Sequence, residues 1–209
     1  MKRLNLNYFA GPELEKQNNF KNDRTRWVMP VIKILDKIGV TGNMISIFGL
    51  LLLIGFLYFI KSAPLVASIF LFFHVFLDAF DGSLARYQKK EGGAGSMMDM
   101  FCDHTGIVVV VGGLIYAGLL NFSLGYIYSY LYTILIILII LRNLIGRPIR
   151  VVFRTKYFVY ALYLVWAIFG LNLLNYGVGL FILLMIWPTW DSFMTLQKYL
   201  KELNYGKEK

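Results

Sequence analysis

The chain of 209 residues has few charged side chains for its size. Only 16% of its residues are charged and 58% are hydrophobic, whereas soluble domains carry roughly 25% charged residues. A soluble domain of this length needs more polar surface than this composition supplies. Cysteine is also scarce, because Cys102 is the only one, so no disulfide framework can form within the chain. Glycine has no three-residue period. These shortages exclude the soluble, disulfide-rich and collagen-like classes, and the high apolar fraction excludes disorder. The composition indicates a polytopic membrane protein.

Runs without charged residues predict where the chain crosses the membrane. The first run, residues 38–60, exceeds a hydrocarbon core of about 30 Å at about 1.5 Å per residue. A second span begins at residue 65. The 38 uncharged residues of 104–141 would form a straight helix of about 57 Å, so this run must turn back once, as must the run 157–190. Turn residues in these two runs lie at 121–125 and 170–177. The sequence therefore predicts an all-α fold with six transmembrane helices.

The positive charges predict the orientation of these spans. Twenty of the 21 Lys and Arg residues fall before the first span, in alternate connections or after the last span, and only Lys61 falls on the other side. By the positive-inside rule, both termini are expected to be cytoplasmic. Because the positive charge follows the topology, we expect no nucleic-acid partner.

The ends of the chain are expected to lie on the cytoplasmic side. Basic and apolar residues alternate in 24–37 and predict an amphipathic helix along the membrane surface. Residues 1–37 have no early apolar run, so we expect no cleavable secretory signal. The predicted divisions are a cytoplasmic N-terminal segment (1–37), a membrane domain (38–190) and a cytoplasmic tail (191–209).

Four aspartates lie near the ends of two neighbouring predicted helices. Asp78 and Asp81 are three residues apart, and Asp99 and Asp103 are four apart, so each pair shares one helix face. A carboxylate in hydrocarbon costs on the order of 3 kcal/mol, so such groups are kept for pairing, proton transfer or metal binding. Oxygen ligands without a second cysteine argue against zinc and favour Mg²⁺, Mn²⁺ or Ca²⁺.

The residues between and beside these aspartates suit a phosphate ligand. Gly82 and Ala85 remove side-chain bulk, and Arg86 supplies a permanently charged fork for phosphate. The glycines of 92–95 allow the backbone to approach a ligand closely. Together with the carboxylates, these residues indicate a metal-assisted site for a pyrophosphate-bearing substrate, where two ions can act on the attacking and leaving oxygens at phosphorus.

The segment 78–103 resembles the signature of the CDP-alcohol phosphatidyltransferases. That signature reads D-x-x-D-G-x-x-A-R, eight further residues, then G-x-x-x-D-x-x-x-D, and all eight fixed positions are present in this chain. The stretch 41–46, which reads Thr-Gly-Asn-Met-Ile-Ser, is similar to the family's Thr-Pro-Asn entry to the first span, with Gly42 where proline is common.

The resemblance implies a role for each matched residue. Asp78, Asp81 and Asp99 would bind the metal that holds the CDP pyrophosphate, and Asp103 would complete a second metal site and act as general base. Two Mg²⁺ or Mn²⁺ ions are the implied cofactors. The implied CDP-binding residues are Asn43, Asp78, Gly82, Ala85, Arg86 and Gly95.

The family likeness also implies a reaction and its partners. A substituted phosphoryl group would pass from a CDP-linked lipid, either CDP-diacylglycerol or an ether-lipid equivalent, to a small alcohol, with release of CMP in phospholipid biosynthesis. The enzyme would be a homodimer in the bilayer with a cytoplasmic active site. Basic residues beyond the fourth span resemble the phosphate pocket of members that use phosphorylated acceptors: Arg142, Arg147, Arg150 and Arg154. They predict an acceptor such as glycerol phosphate or inositol phosphate, with an uncharged or zwitterionic alcohol as the open alternative.

Two alternatives stay open from the sequence. An aminoalcohol phosphotransferase of the CDP-choline or CDP-ethanolamine type would carry CDP on the alcohol, and its acceptor site would need no phosphate pocket. A divalent-cation transporter is the alternative from another class, because intramembrane acids also mark ion pathways. The acids here lie at one end of the predicted bundle, however, and the other spans offer none to continue a path.

Overall fold

The computed structural model describes residues 28–90, 93–149 and 154–205, and their regular structure is entirely helical. Residues 28–37 are helical and are called α1. Six further helices follow: α2 (Gly42–Phe59), α3 (Pro64–Tyr87), α4 (Gly93–Tyr116), α5 (Phe122–Leu144), α6 (Thr155–Phe169) and α7 (Leu174–Tyr205). The all-α prediction is confirmed for this part of the chain.

Five of these helices are long and apolar enough to cross a bilayer, namely α2, α3, α4, α5 and α7. Helix α6 is also apolar but has only 15 residues. Large apolar side chains such as Phe48, Ile54 and Tyr58 are exposed on the outside of the bundle, as is usual where the surrounding solvent is lipid rather than water. These features make the chain an integral membrane protein with several spans.

Two helix ends differ from the boundaries that the uncharged runs predicted. Helix α2 begins at Gly42 rather than at residue 38, because Gly39 has a φ of +76° and the Thr41 hydroxyl accepts a hydrogen bond from the Met44 N–H at 3.4 Å. The connection between α4 and α5 lies at 117–121 and not at the predicted 121–125. The reason is that the Asn121 side chain caps α5 by accepting a hydrogen bond from the Ser123 N–H at 2.9 Å. Charge-free runs locate spans, but capping residues decide where each helix begins.

Helix α7 has 32 residues and continues through Pro188 to Tyr205. The sequence predicted a boundary near residue 190, where the composition becomes polar. The structure continues the same helix past this point, and the Ser192 hydroxyl donates to the Pro188 carbonyl. A change of composition therefore marks a change of surroundings and not the end of the helix.

Successive helices run antiparallel, so six helix ends meet at one end of the bundle. These are the starts of α2, α4 and α6 and the ends of α3, α5 and α7. At the opposite end, the Asn175 side chain accepts a hydrogen bond from the Asn121 N–H at 2.8 Å and joins the starts of α5 and α7. The main core between the two ends contains Phe56, Leu71, Val110 and Tyr163. Helix α1 packs through Ile32 onto a smaller cluster with Ile45, Phe80 and Leu84.

Candidate active site

Three carboxylates from two helices meet where α3 ends and α4 begins. Asp78 lies on α3, and Asp99 and Asp103 lie one turn apart on α4. Each offers one oxygen, and these oxygens lie within 4.8 Å of one another. The side chains of Asp78 and Asp103 are 21% and 28% exposed, so the cluster can be reached from outside. We call these three residues the aspartate cluster.

Asp81 lies next to the aspartate cluster, but its carboxylate accepts hydrogen bonds from residues outside that cluster. One oxygen accepts a hydrogen bond from the Ser46 hydroxyl at 2.7 Å, and the other accepts from the Gly82 N–H at 2.5 Å. Both partners satisfy a buried charge that burial would otherwise penalise. A pocket between α2, α3 and α4 joins Asp81 to the cluster and is lined by Ile45, Ser46, Gly49, His74, Asp78, Asp81, Cys102 and Asp103.

Helix α6 contributes a buried cation and a hydroxyl to the aspartate cluster. The Lys156 ammonium lies 2.5 Å from Asp103 Oδ1 and 3.7 Å from Asp78 Oδ2, and its side chain is only 5% exposed. The neighbouring Tyr157 hydroxyl donates to Asp78 Oδ2 at 3.1 Å. In the sequence, Lys156 is one of several basic residues after the fourth predicted span, and no pattern marks Tyr157. The one signal was the position of Lys156 at the edge of a long uncharged run.

Gly42 allows the start of α2 to approach the end of α3. A Cβ at this position would lie 2.8 Å from the Asp81 carbonyl oxygen and 3.5 Å from the Ala85 Cβ. The close approach places Ser46, one turn further along α2, beside the Asp81 carboxylate. Asn43, predicted to close the nucleotide pocket, is exposed at this same end of the bundle.

The other predicted CDP-binding residues lie on the facing ends of α3 and α4. The Arg86 guanidinium donates to the Ser83 hydroxyl at 2.9 Å, and its Nη1 would lie 3.6 Å from a Cβ at Gly82. Gly95, in the first turn of α4, has open space where a Cβ would be. The structure thus brings Gly82, Ala85 and Arg86 to the same helix end as the aspartate cluster.

Two histidines near the aspartates are used for packing. His74 Nδ1 lies 2.9 Å from the Gly49 carbonyl oxygen, and a Cβ at Gly106 would lie 2.9 Å from its Nε2, so this ring fills the space between α2 and α4. His104 follows Asp103 but turns towards α5, where its Nε2 lies 3.0 Å from the Thr133 hydroxyl.

Two of the four arginines predicted to bind the acceptor, Arg142 and Arg147, bond to acids of α7. The Arg142 guanidinium is 10% exposed, bonds Asp191 at 2.6 Å and donates to the Arg147 carbonyl. Arg147 bonds Glu202 at 2.7 Å. Both guanidinium groups therefore connect the end of α5 and the segment after it to α7. Arg154 directly precedes α6, whereas Arg150 lies outside the described residues.

The donor set of the aspartate cluster suits a hard divalent cation. Three carboxylates supply oxygen ligands, and Asp81 lies within the same pocket. Mg²⁺ and Mn²⁺ prefer such ligands and often retain positions for substrate phosphates. An oxygen cluster that is partly exposed at the end of a membrane bundle can therefore hold a metal together with a phosphorylated ligand.

Comparison with known proteins agrees with this chemistry. The sequence profile of the CDP-alcohol phosphatidyltransferases matches residues 40–194, which include every described aspartate of the site. The archaetidylinositol phosphate synthase of Pyrococcus horikoshii is 30% identical over 97 residues, which are 46% of this chain and 51% of that relative. The match thus spans about half the length of this relative. Because the family profile covers most of the chain, the protein belongs to the CDP-alcohol phosphatidyltransferase family.

Proposed function

We propose that the protein transfers a substituted phosphoryl group from a CDP-linked lipid to an alcohol, with release of CMP. The observation that supports this most directly is the aspartate cluster, in which two helices of the family-matched segment bring three carboxylate oxygens within 4.8 Å of one another. Such a cluster suits the binding of a metal beside a pyrophosphate. The reaction would belong to phospholipid biosynthesis.

The proposed cofactor is Mg²⁺ or Mn²⁺, with two ions held by Asp78, Asp81, Asp99 and Asp103. When bound, the metal neutralises the negative charge that develops on the pyrophosphate oxygens. Asp78, Asp99 and Asp103 already lie together. Asp81 would have to exchange its hydrogen bond from Ser46 for a metal ligand position.

The protein side chains then have separate tasks. Asp103 would accept the proton of the acceptor hydroxyl as the acceptor oxygen bonds to the lipid-side phosphorus. The bond from that phosphorus to the bridging oxygen of the pyrophosphate breaks, and CMP leaves with the bridging oxygen. Arg86 would contact phosphate. Asn43, Gly82, Ala85 and Gly95 would form the nucleotide pocket at the same end of the bundle.

The proposed arrangement in the membrane has six spans, with α6 as the fifth. At about 1.5 Å per residue, the 15 residues of α6 reach about 22 Å, which is less than a full hydrocarbon core, so neighbouring helices would shelter its ends. Helix α1 would lie along the cytoplasmic surface, with its exposed apolar residues Val31 and Ile34 in the lipid. Both termini and the site would be cytoplasmic, in a homodimer.

The extent of each proposed segment follows from this topology. Residues 1–37 and 191–209 would be the cytoplasmic segments, and 38–190 the membrane domain. Within the segment 191–209, Asp191 bonds Arg142 at the end of α5, and Glu202 bonds Arg147 in the connection after α5. The C-terminal part of α7 would therefore extend from the membrane domain as a continuous helix.

The proposed acceptor is a phosphorylated polyol, with inositol phosphate as the first candidate. The relative from Pyrococcus horikoshii is named as an archaetidylinositol phosphate synthase, and Arg154 lies two residues before Lys156, whose ammonium contacts Asp103. We leave Arg142 out of the proposed phosphate pocket, because its guanidinium is bonded to Asp191 and the Arg147 carbonyl. Arg147 stays a candidate because its side chain is 40% exposed although it bonds Glu202, and Arg150 and Arg154 also stay candidates.

The acceptor can be tested by product mass. Purified protein is incubated with Mn²⁺, CDP-diacylglycerol or an ether-linked CDP-lipid, and one acceptor at a time: inositol phosphate, glycerol phosphate, serine or inositol. We expect a lipid product whose mass equals that of the lipid phosphate joined to a phosphorylated polyol. A product only with serine or inositol contradicts the acceptor proposal. A separate incubation contains CDP-ethanolamine and a lipid alcohol, and a product there alone supports the aminoalcohol alternative.

A further inference from the structure

Lys156 has an unusual position for a lysine in an apolar helix. Its side chain is 5% exposed, and its ammonium contacts Asp103 at 2.5 Å and Asp78 at 3.7 Å. Lysine side chains near helix ends usually extend to the interface and keep the ammonium in water. Here the ammonium is directed inward, between two of the three carboxylates that are suited to hold a metal.

The carboxylates give a physical reason for this inward position. Three negative charges close together in a low-dielectric bundle repel one another, and a buried charge without a partner is strongly destabilising. Lys156 places one positive charge among them, and the Tyr157 hydroxyl donates to Asp78 at 3.1 Å. The Lys156 ammonium also lies 4.8 Å from the centre of the Tyr157 ring, which favours the same position for a cation.

We propose that Lys156 is the built-in counter-ion of the metal-free site and that a divalent cation displaces it. A metal that binds Asp78 and Asp103 competes for the same oxygens that the ammonium contacts. Lys156 is thus a positioning residue, which stabilises the aspartate cluster without metal and weakens its affinity for metal. This inference rests on the proposed metal site but not on the identity of the lipid or acceptor.

The test measures Mn²⁺ affinity of the purified protein without any substrate, from the electron paramagnetic resonance signal of free Mn²⁺. We expect Lys156→Met to bind Mn²⁺ at least about tenfold more tightly, because a competing unit charge at this distance is lost. Lys156→Arg, which keeps the charge, is expected to bind no more tightly than the unaltered protein. Lys198→Met removes an exposed lysine of α7 and is the matched control, with unchanged affinity.

Thermal unfolding supplies a second measurement on the same proteins. In EDTA, Lys156→Met is expected to unfold at a lower temperature than the unaltered protein. Addition of Mn²⁺ is expected to raise the Tm of Lys156→Met by more than it raises the Tm of the unaltered protein. Lys156→Gln, which keeps a donor without the charge, should behave in the same way if the methionine variant is not recovered without metal. A merely structural role for Lys156 predicts lower stability with equal or weaker Mn²⁺ binding.

The outcomes separate this inference from the proposed function. Equal or weaker Mn²⁺ binding by both Lys156→Met and Lys156→Gln overturns the counter-ion role, as does a protein that binds no Mn²⁺ in any form. Tighter binding in both variants supports it, even when no CDP-lipid and acceptor pair releases CMP. In that case the transferase proposal fails and the counter-ion inference stands.

Discussion

At the scale of residues, three acidic side chains of the site are paired with groups from other helices. Asp103 is paired with the Lys156 ammonium, Asp78 accepts from the Tyr157 hydroxyl, and Asp81 accepts from the Ser46 hydroxyl. These partners come from α2 and α6. The acids of α3 and α4 are therefore oriented by two helices that the signature motif does not include.

Removal of the Tyr157 hydroxyl tests whether this orientation matters. Tyr157→Phe keeps the ring and removes the 3.1 Å hydrogen bond to Asp78. A hydrogen bond to a charged group contributes about 1.5 to 3 kcal/mol, so we expect kcat/KM for CMP release to fall roughly tenfold or more. Tyr130→Phe on the exposed face of α5 is the matched control. Equal activities of the two variants would mean that the hydrogen bond from Tyr157 to Asp78 does not contribute to catalysis.

The spacing of the aspartates predicted part of this site, and its limits have a physical cause. Residues three or four apart on one helix share a face whatever the tertiary packing, so each pair could be placed from the sequence. Lys156 and Tyr157 lie more than 50 positions from the aspartates that they contact. Contacts of this kind depend on how α6 packs against α3 and α4, which no local pattern specifies.

At the scale of helices, the site depends on the close contact between α2 and α3. Gly42 makes this contact possible, because a Cβ there would lie 2.8 Å from the Asp81 carbonyl oxygen. A main-chain atom cannot move aside without moving the helix. The distance between the two helices at the site is therefore set by the lack of a side chain at this position.

Gly42→Ala should separate α2 from α3 at the aspartate site. We expect a loss of roughly 1 to 3 kcal/mol in the free energy of unfolding and a lower rate of CMP release, because Ser46 would move away from Asp81. Gly112→Ala on α4 is the matched control, since a Cβ there meets no atom within 4 Å. Thermal unfolding and CMP release are measured for both. Equal thermal stability and equal CMP release in the two variants would contradict this role of Gly42.

The basic connection after α5 shows what composition cannot predict. A positive-inside bias explains why arginines lie there, but not which of them face the site. Arg142 and Arg147 contact Asp191 and Glu202 of α7, acids that lie about 50 residues further along the chain. The sequence treated those acids as part of a separate tail, because its polar composition hid the continuation of α7.

At the scale of the whole molecule, the two ends of the bundle are proposed to lie on opposite sides of the membrane. Lys61 lies in the connection after α2 and contacts the Tyr116 ring at the end of α4. Lys198 lies on α7 at the end that contains the aspartates. The positive-inside rule predicts that the second of these ends is cytoplasmic.

Cysteine labelling in intact cells tests this orientation. Lys61→Cys and Lys198→Cys are made separately in a Cys102→Ala background and exposed to a maleimide that does not cross membranes. We expect Lys61→Cys to react in intact cells, and Lys198→Cys to react only after the membrane is opened. The reverse pattern would place the site outside, and reaction of both in intact cells would contradict the spanning arrangement.

The most direct test of the account is CMP release from CDP-lipid by the purified protein, with Asp103→Asn as the comparison. The acceptor is inositol phosphate, with glycerol phosphate in parallel, and the folding of both proteins is checked by thermal unfolding. We expect release with Mg²⁺ or Mn²⁺, loss of release in EDTA, and a fall of at least about a hundredfold in the folded Asp103→Asn variant, because a positioned base contributes about 10² to 10⁴ in rate. Undiminished release by Asp103→Asn, or release that persists in EDTA, would contradict a metal-dependent transferase centred on the aspartate cluster.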